Sequence, residues 1–185
     1  MRRRPVLQVG RRTHPFREIA LIVAILLGYR LVRLAITGQD DLAFANAWRV
    51  WDAERLLRLP DEERIQHWLL QWPELVQAAN WFYVGVHFPA AVLFLLWAWF
   101  FRTPHEYRWA RRSMSVLTGF ALIGHVLMPL APPRMLGRLG FVDTMAVYGP
   151  SAYEGSAATV ANQYAAMPSL HVGWALLIAV AVVRL

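Results

Sequence analysis

The stretch Val76–Phe101, VQAANWFYVGVHFPAAVLFLLWAWFF, indicates the fold class of this chain. It contains no Asp, Glu, Lys or Arg, and it exceeds the run of about 20 apolar residues that a helix needs to cross a bilayer. Three further stretches, at about residues 19–36, 113–130 and 168–185, are also mainly apolar. We therefore predict an all-α, multi-spanning transmembrane helix bundle in which these four stretches are the spans.

The composition supports a membrane protein that forms one domain. The 185 residues are 57% hydrophobic and carry a net charge of +7, a hydrophobic share that is high for a soluble domain. All 19 basic residues are arginines, and they gather around the apolar stretches, so the membrane surface explains the charge better than nucleic acid does. The absence of cysteine excludes disulfides, thiol nucleophiles and cysteine metal ligands. We predict a single membrane domain over 1–185 and no nucleic-acid partner.

The positions of the arginines predict how the spans are oriented. Because cytoplasmic segments are enriched in arginine, the N-terminus and the short connection between the second and third spans are predicted to be cytoplasmic. The N-terminal arginines would also suit a cleaved signal peptide, but the run from Ile19 lacks a small-residue cleavage site, so we expect a retained span. The arginines concerned are Arg2, Arg3, Arg4, Arg11, Arg12, Arg17, Arg102, Arg108, Arg111 and Arg112.

The two longer connections, about 37–75 and 131–167, would then lie outside the cytoplasm. The first is acidic and has apolar residues at helical spacing, which predicts short interfacial helices near 46–59 and 65–72. The second is rich in glycine and proline and has no clear periodicity, which is typical of a functional or mobile loop.

The sharpest local pattern lies where the second of these connections meets the last span, at NQYAAMPSLHVG, residues 162–173. Pro168 suits the first turn of a helix, and the free backbone amides at a helix start attract anions. Ser169 could donate a hydrogen bond to a phosphate oxygen, and His171 could protonate a departing oxygen as a general acid. The alternative is that proline simply starts a helix and that the serine and histidine are interfacial polar residues.

A second pattern, PLAPPR at residues 129–134, lies where the third span ends. Because prolines restrict the backbone, a guanidinium placed directly after Pro132 and Pro133 could present its donors to a phosphate at little entropic cost. We therefore predict Arg134 as a phosphate clamp. An ordinary interfacial arginine after a proline stop is the alternative interpretation.

Several other polar groups have the same predicted depth. Arg30, Arg33, His87 and His125 would lie in the outer parts of their spans, where ionisable residues usually face a bundle interior or a water-filled cavity. Singly, each could be a structural histidine or a snorkelling arginine. Taken with the two local patterns, they predict a basic pocket for a phosphate, with Arg33, His87, His125 and Asn162 as possible members.

Zinc is the competing use of the histidines, since His87, His125 and His171 come from separate helices and neutral imidazoles ligate metal. The chain has no HExxH pair and no cysteine, and the arginines would repel a cation. We therefore predict no metal and no cofactor.

The motif AMPSLH, residues 166–171, resembles the middle signature of the type 2 phosphatidic acid phosphatase superfamily. The form with leucine between serine and histidine is that of the inositol phosphorylceramide synthase-like (inositolphosphotransferase) branch. Pro132-Pro133-Arg134 resembles the first signature of that branch, although the lysine that usually stands seven residues before the arginine is absent. Similar spacings occur in bacterial members for Asn80, Tyr83 and His87, with Glu54, Gln66 and Pro73 upstream.

The resemblance implies a six-helix membrane fold, of which these four spans form the N-terminal part. It also implies metal-independent phosphoryl transfer through a phosphohistidine, in which Arg134 and Ser169 hold the phosphate and His171 protonates the leaving group. The third signature of the family supplies the nucleophilic histidine and its orienting aspartate, and no His-x-x-x-Asp follows position 171. We therefore expect the chain to be a fragment of a longer protein and inactive by itself.

The function predicted for the full-length protein is that of a membrane lipid phosphatase or phosphotransferase. It would act on a lipid-linked phosphate or phosphodiester at the extracytoplasmic face, with the lipid phosphate and membrane lipids as its partners. Water and a lipid alcohol both stay open as acceptors of the phosphoryl group. The alternatives are a non-catalytic membrane protein that binds or transports a lipid phosphate in the same pocket, or an inactive remnant.

Overall fold

The computed structural model describes residues 14–137, 139–151 and 162–185. Within these ranges the chain is helical and has no β-strand, which confirms the predicted all-α class. Among the described residues, extended segments pair in one isolated bridge, between Leu130 and Ala165. The helices are α1 (Pro15–Ile36), α2 (Asp40–Leu56), α3 (Glu62–Leu69), α4 (Pro73–Phe101), α5 (Pro104–Leu127), α6 (Thr144–Tyr148) and α7 (Leu170–Arg184), with a 3-10 turn at Pro133–Met135.

Two helices, α1 and α4, are long and apolar enough to cross a membrane. They contain the first and second predicted spans. The third predicted span, about 113–130, overlaps the second half of α5, which ends at Leu127 and begins earlier, at Pro104, with a polar and arginine-rich first half. The fourth, predicted from residue 168, contains α7, an apolar helix of 15 residues that begins at Leu170, so Pro168 lies just before the helix and not in its first turn. This helix is shorter than the about 20 residues of a typical span. Two of the four predicted spans therefore meet the length and hydropathy expected of a membrane helix.

The connection between α1 and α4 contains α2 and α3, as the periodicity of its apolar residues predicts. Both helices begin at acidic residues: α2 at Asp40, and α3 after Asp61, whose side chain accepts a hydrogen bond from the Arg64 amide. Negative charge at a helix start is stabilising, so the carboxylates explain why α2 begins several residues before its first tryptophan.

A π turn at Phe82–Val86 interrupts α4. There the His87 amide donates to the Phe82 carbonyl, five residues earlier. Pro89 explains the position of the turn, because proline has no amide hydrogen and leaves the Gly85 carbonyl, one turn earlier, without its usual helical donor. π turns of this kind often occur at functional sites.

Helix α5 is the centre of the bundle, since α1, α4 and α7 all pack against it. Small side chains allow the helices to approach closely: Ala110 and Ala181 are fully buried beside Phe94. Gly173 of α7 lies so near to Leu117 that an added Cβ would be 3.0 Å from a Leu117 methyl carbon. Small residues at such crossings are typical of helix packing in membranes.

A polar network joins α1 to α5 near the start of both helices. The Glu18 carboxylate forms an ion pair with Arg111 and accepts a hydrogen bond of 2.7 Å from the Tyr107 hydroxyl. Both partners of the ion pair are largely shielded from solvent, with side-chain exposures of 12% and 18%. At the same end, Thr103 and Glu106 form a reciprocal capping box at the start of α5. We refer to Glu18, Tyr107 and Arg111 as the Glu18 network.

Two predictions fall on residues outside the described ranges. The N-terminal arginines up to residue 12, on which the choice between a retained span and a signal peptide depends, belong to residues 1–13. Part of the connection rich in glycine and proline belongs to residues 152–161. The cytoplasmic position of the N-terminus therefore stays a prediction.

Candidate active site

A cavity of about 470 Å³ lies where α4, α5 and the start of α7 meet the connections between the helices. A volume of this size is typical of pockets that bind small ligands. Side chains from all of these segments and from α1 line it. The polar ones include Tyr29, Tyr83, His125, Arg134, Ser169 and His171.

The turn before α7 is held against α5 by a hydrogen bond and a close contact. His125, with an exposure of 1%, donates from Nε2 to the Pro168 carbonyl at 3.0 Å, because a carbonyl oxygen can only accept. The neighbouring Gly124 lies beside the proline ring, and a Cβ there would be 2.9 Å from Pro168 Cδ. Helix α5 thereby fixes the backbone that leads into Ser169 and His171.

Ser169 is the N-cap of α7, and its Oγ accepts a hydrogen bond of 3.3 Å from the Val172 amide. A serine hydroxyl has one proton and two acceptor lone pairs, so a capping hydroxyl can still donate its own proton to a ligand. The amides of the first helical turn add partial positive charge at the same place. The start of α7 is therefore suited to an anion.

The ring of His171 contacts two side chains of α4. The Tyr83 hydroxyl lies 3.2 Å from His171 Nδ1, and the two rings stack with centroids 4.1 Å apart and planes 18° apart. The His87 ring lies 4.6 Å from the His171 ring, centroid to centroid. The buried Nε2 of His87 has no hydrogen-bond partner within the described ranges. The orientation of His171 is thus set by α4 as well as by α7.

Arg134 reaches the cavity from the 3-10 turn Pro133–Met135. Its Nε lies 3.1 Å from Oδ2 of Asp143, and its side chain is 20% exposed. Asp143 is itself fixed, because it is the N-cap of α6 and its other oxygen accepts from the amides of Met145 and Ala146. The ion pair therefore sets the direction of the guanidinium at the wall of the cavity.

Amide side chains of α3 and α4 hold the segment that carries Asp143. Gln66 makes a reciprocal pair with the backbone of Val142, donating to its carbonyl at 3.0 Å and accepting from its amide at 2.8 Å. Asn80, with an exposure of 5%, donates to the Thr144 carbonyl at 2.9 Å. A series of contacts thus leads from two helices, through this segment, to the guanidinium.

Asn162, Gln163, Ala165 and Ala166 form another part of the wall. The Leu130 amide donates to the Tyr164 carbonyl at 2.9 Å, and a hydrogen bond between the Tyr164 hydroxyl and Asp40 raises the pKa of this tyrosine. Asn162 accepts a hydrogen bond of 3.2 Å from the Tyr164 amide, whereas its buried Nδ2 has no partner in the described part of the chain. A buried donor without a partner costs free energy, so the Asn162 amide is a candidate contact for a ligand.

The predicted site residues fall into two groups. Those that line the cavity together are Arg134, Ser169, His171, His125 and Asn162. His87 contacts His171 without lining the cavity, and Arg33 is not among the lining residues. From α1 it is Tyr29, one helical turn before Arg33, that reaches the cavity.

Sequence reasoning gave no role to Tyr29, Gly124 or Asp143, and it noted Tyr83 only through the spacing of a family pattern. A glycine next to a polar residue inside a span could have indicated a close backbone contact at Gly124. Tyr29 lies on the same helix face as a predicted pocket residue and could have been included with it. Asp143 belongs to no local motif, so its contact with Arg134 follows only from the folded structure.

Zinc binding is the competing interpretation of His87, His125 and His171. Nε2 of His125 is occupied by the Pro168 carbonyl. No group of three or more His, Cys, Asp or Glu side chains that could hold a metal ion occurs among the described residues.

Comparison with known proteins identifies the family. The sequence profile of the PAP2 superfamily matches residues 48–185, a range that includes Arg134, Ser169 and His171. Neither the curated proteins nor the solved structures gave a match. The two long apolar helices and the family together indicate a membrane protein. Because the matched range covers most of the chain, the protein belongs to the PAP2 superfamily.

Proposed function

We propose that the protein is a membrane lipid phosphatase or phosphotransferase that acts on a lipid-linked phosphate or phosphodiester. The observation that carries the proposal is that Arg134, from the 3-10 turn, lines the same cavity as Ser169 and His171, from the start of α7. Members of the superfamily are phosphatases and phosphotransferases, which supports an enzyme of this class. A cavity of about 470 Å³ has room for a phosphate together with part of a headgroup.

The phosphate in this proposal lies between the 3-10 turn and the start of α7. Arg134 supplies a delocalised positive charge whose direction is set by Asp143. Ser169 donates its hydroxyl proton to a phosphate oxygen while its lone pair keeps the cap of α7. The first amides of α7 and their dipole add to the attraction for the anion.

Chemistry in this proposal passes through a phosphohistidine. In the first step, an imidazole nitrogen attacks phosphorus, the bond from phosphorus to the leaving alkoxide oxygen breaks, and His171 gives a proton to that oxygen. In the second step, water or an alcohol loses a proton to His171 and attacks phosphorus, and the phosphorus–nitrogen bond breaks. The attacking imidazole is that of the third signature of the family, which residues 1–185 do not contain.

We further propose that α1, α4, the apolar part of α5 and α7 are the four spans and that the cavity faces away from the cytoplasm. Arg102, between α4 and α5, and the arginines in the first half of α5 (Arg108, Arg111 and Arg112) support this orientation. The leucine between Ser169 and His171 supports a place in the inositol phosphorylceramide synthase-like branch, in which an alcohol accepts the phosphoryl group.

The test uses the full-length product of the open reading frame, reconstituted in vesicles and assayed against phosphatidate, a polyprenyl phosphate and an inositol phospholipid. We expect His171→Ala to lower kcat on the best substrate by on the order of a hundredfold or more. We expect Arg134→Ala to lower kcat/KM by on the order of tenfold to a hundredfold, because a charge-assisted contact is lost. The matched controls His105→Ala and Arg64→Ala remove exposed residues of the same types from elsewhere on the surface.

If both variants keep turnover within about threefold of the unchanged protein, the proposed roles are wrong. Binding of the lipid phosphates without turnover by the full-length protein would instead support the non-catalytic alternative.

A further inference from the structure

Tyr83 makes the most direct contact with His171. Its hydroxyl lies 3.2 Å from Nδ1 and its ring stacks on the imidazole with a 4.1 Å centroid distance. The two residues are 88 positions apart in the sequence, and Tyr83 lies in the π turn of α4, where the backbone departs from regular helix geometry. The contact is therefore made by the fold and not by the local motif around His171.

The stack continues beyond these two rings. His171 lies 4.6 Å from His87, and His87 lies 6.2 Å from Trp174 with the ring planes 16° apart. The far end of this column is anchored to α5, because Trp174 Nε1 donates to Thr118 Oγ1 at 3.1 Å. The column fixes the plane of the His171 ring, but a stack alone does not distinguish the ring from its orientation after a 180° flip about the Cβ–Cγ bond, which keeps the plane and exchanges the two edges of the ring. A directional hydrogen bond is needed to choose which nitrogen faces the cavity.

We propose that Tyr83 is the positioning residue for His171, and that its hydroxyl bond to Nδ1 makes Nε2 the nitrogen that exchanges a proton with the substrate. This inference rests on the proposed function. A phenol can serve both protonation states of the ring, since its oxygen accepts from Nδ1–H in the imidazolium and its proton is donated to Nδ1 when that nitrogen is bare. Nε2 can then give its proton to the leaving oxygen and later take one back, while the bond to Tyr83 persists.

The groups that face His171 are consistent with this role. From α4 they are Tyr83 and His87, and Arg134 is a charged side chain that lines the same cavity. No carboxylate lines the cavity among the described residues. The phenol is therefore the hydrogen-bond partner that α4 supplies to Nδ1, as an orienting carboxylate or carbonyl does for many catalytic histidines.

The experiment compares two leaving groups in the full-length protein. Phosphatidate releases an alkoxide that needs a proton, whereas 4-nitrophenyl phosphate releases a stable phenolate that does not. Single-turnover rates report the first step alone. We expect Tyr83→Phe, which keeps the stack and removes the hydroxyl, to slow release from phosphatidate by on the order of tenfold with KM within about twofold, and to leave the 4-nitrophenolate rate within about twofold. Tyr148→Phe, a tyrosine that does not line the cavity, is the control and should change neither rate.

His171→Ala distinguishes the positioning role of Tyr83 from the acid role of His171. It should slow the reaction of phosphatidate and spare that of 4-nitrophenyl phosphate, as Tyr83→Phe does, and the loss of rate with phosphatidate should be larger. If His171→Ala is selective and Tyr83→Phe is not, or if Tyr83→Phe acts on KM alone, the positioning role is wrong and the proposed function stands. If His171→Ala slows both substrates equally, or neither, the acid role of His171 fails and this inference fails with it.

A second variant covers the case in which Tyr83→Phe does not fold. Incorporation of 3-fluorotyrosine at position 83 keeps the ring and the hydroxyl and makes the hydroxyl a weaker acceptor and a stronger donor. We expect the phosphatidate rate to change by about twofold or more while the 4-nitrophenyl phosphate rate stays constant. An unchanged phosphatidate rate, or an equal change in the rates for both substrates, would overturn the proposal.

Discussion

The two ends of the helix bundle use their polar side chains in different ways. Near the start of α1 and α5, side chains pair with side chains: Glu18 binds both Arg111 and Tyr107. At the cavity, polar side chains mainly hold backbone, as His125 holds the Pro168 carbonyl. The two ends are well separated, since Tyr107 and His125 lie about 27 Å apart along α5 at a rise of about 1.5 Å per residue.

The difference indicates a division of roles. The ion pair between Glu18 and Arg111 is largely buried and joins two helices, so its charges neutralise each other away from the cavity. Hydrogen bonds from side chains to backbone fix the connections, and Arg134 and His171 are then presented to the cavity by a backbone that is already held. Changes at the Glu18 network should therefore alter stability with little effect on turnover, whereas changes beside the cavity should alter turnover.

The largest expected effect is on stability, from Glu18→Ala. Removal of the carboxylate leaves Arg111 largely buried without its partner, and breaking a buried pair costs about 3 kcal/mol. Thermal unfolding in detergent should show a lowered midpoint, while kcat per folded molecule stays within about twofold.

The double variant Glu18→Ala with Arg111→Ala tests the coupling in this network. It should lose less stability than the sum of the two single variants, because neither charge is left unpaired. Strictly additive losses, or a fall in kcat that exceeds the fraction unfolded, would remove the distinction between the two ends.

The next effect is on turnover, from Gly124→Ala. A methyl group there would lie 2.9 Å from Pro168 Cδ and push the turn before α7 out of place. Displacement of a catalytic group by a fraction of an ångström lowers kcat by on the order of tenfold. The matched control is Gly119→Ala on the same helix, where an added Cβ meets nothing within 4 Å. Similar rates for the two variants would show that the contact with Pro168 does not control the site.

The smallest expected effect is on stability, from a change at the start of α5. Thr103→Ala removes the capping box with Glu106, and loss of an N-cap costs about 1 kcal/mol. The unfolding midpoint should fall slightly, Thr103→Ser should restore most of it, and turnover should stay unchanged. A marked loss of turnover in Thr103→Ala would contradict the separation of roles.

Local patterns in the sequence predicted the all-helical fold and the residues that line the cavity from the start of α7. Pro168, Ser169 and His171 are neighbours in the chain, so their place around a helix start could be predicted from a few adjacent residues, whereas their chemical roles stay a proposal. The helices α2 and α3 were also predictable, because the spacing of apolar residues indicates a helix and nearby carboxylates favour its beginning.

Contacts between distant segments could not be predicted in this way. Gln66 meets Val142 across 76 positions, and no periodicity or composition of either segment indicates that pairing. The same holds for His125: it lines the cavity as predicted, but the hydrogen bond from its Nε2 to the Pro168 carbonyl joins positions 43 residues apart. Arg33 was placed in the pocket by depth alone, and depth does not give the rotation of a helix about its own axis.

The π turn of α4 changes the directions in which the two halves of that helix face. Asn80 before the turn and Ala91 after it are both buried, and in a regular helix the eleven steps between them, at about 100° each, would place them within about 20° of the same direction. The wider turn removes about one step of rotation. The half of α4 that carries Asn80 therefore packs against α6, while the half that carries Ala91 packs against α5 and α7. One helix thus presents two packing faces that point in different directions, and Tyr83 lies in the π turn between them.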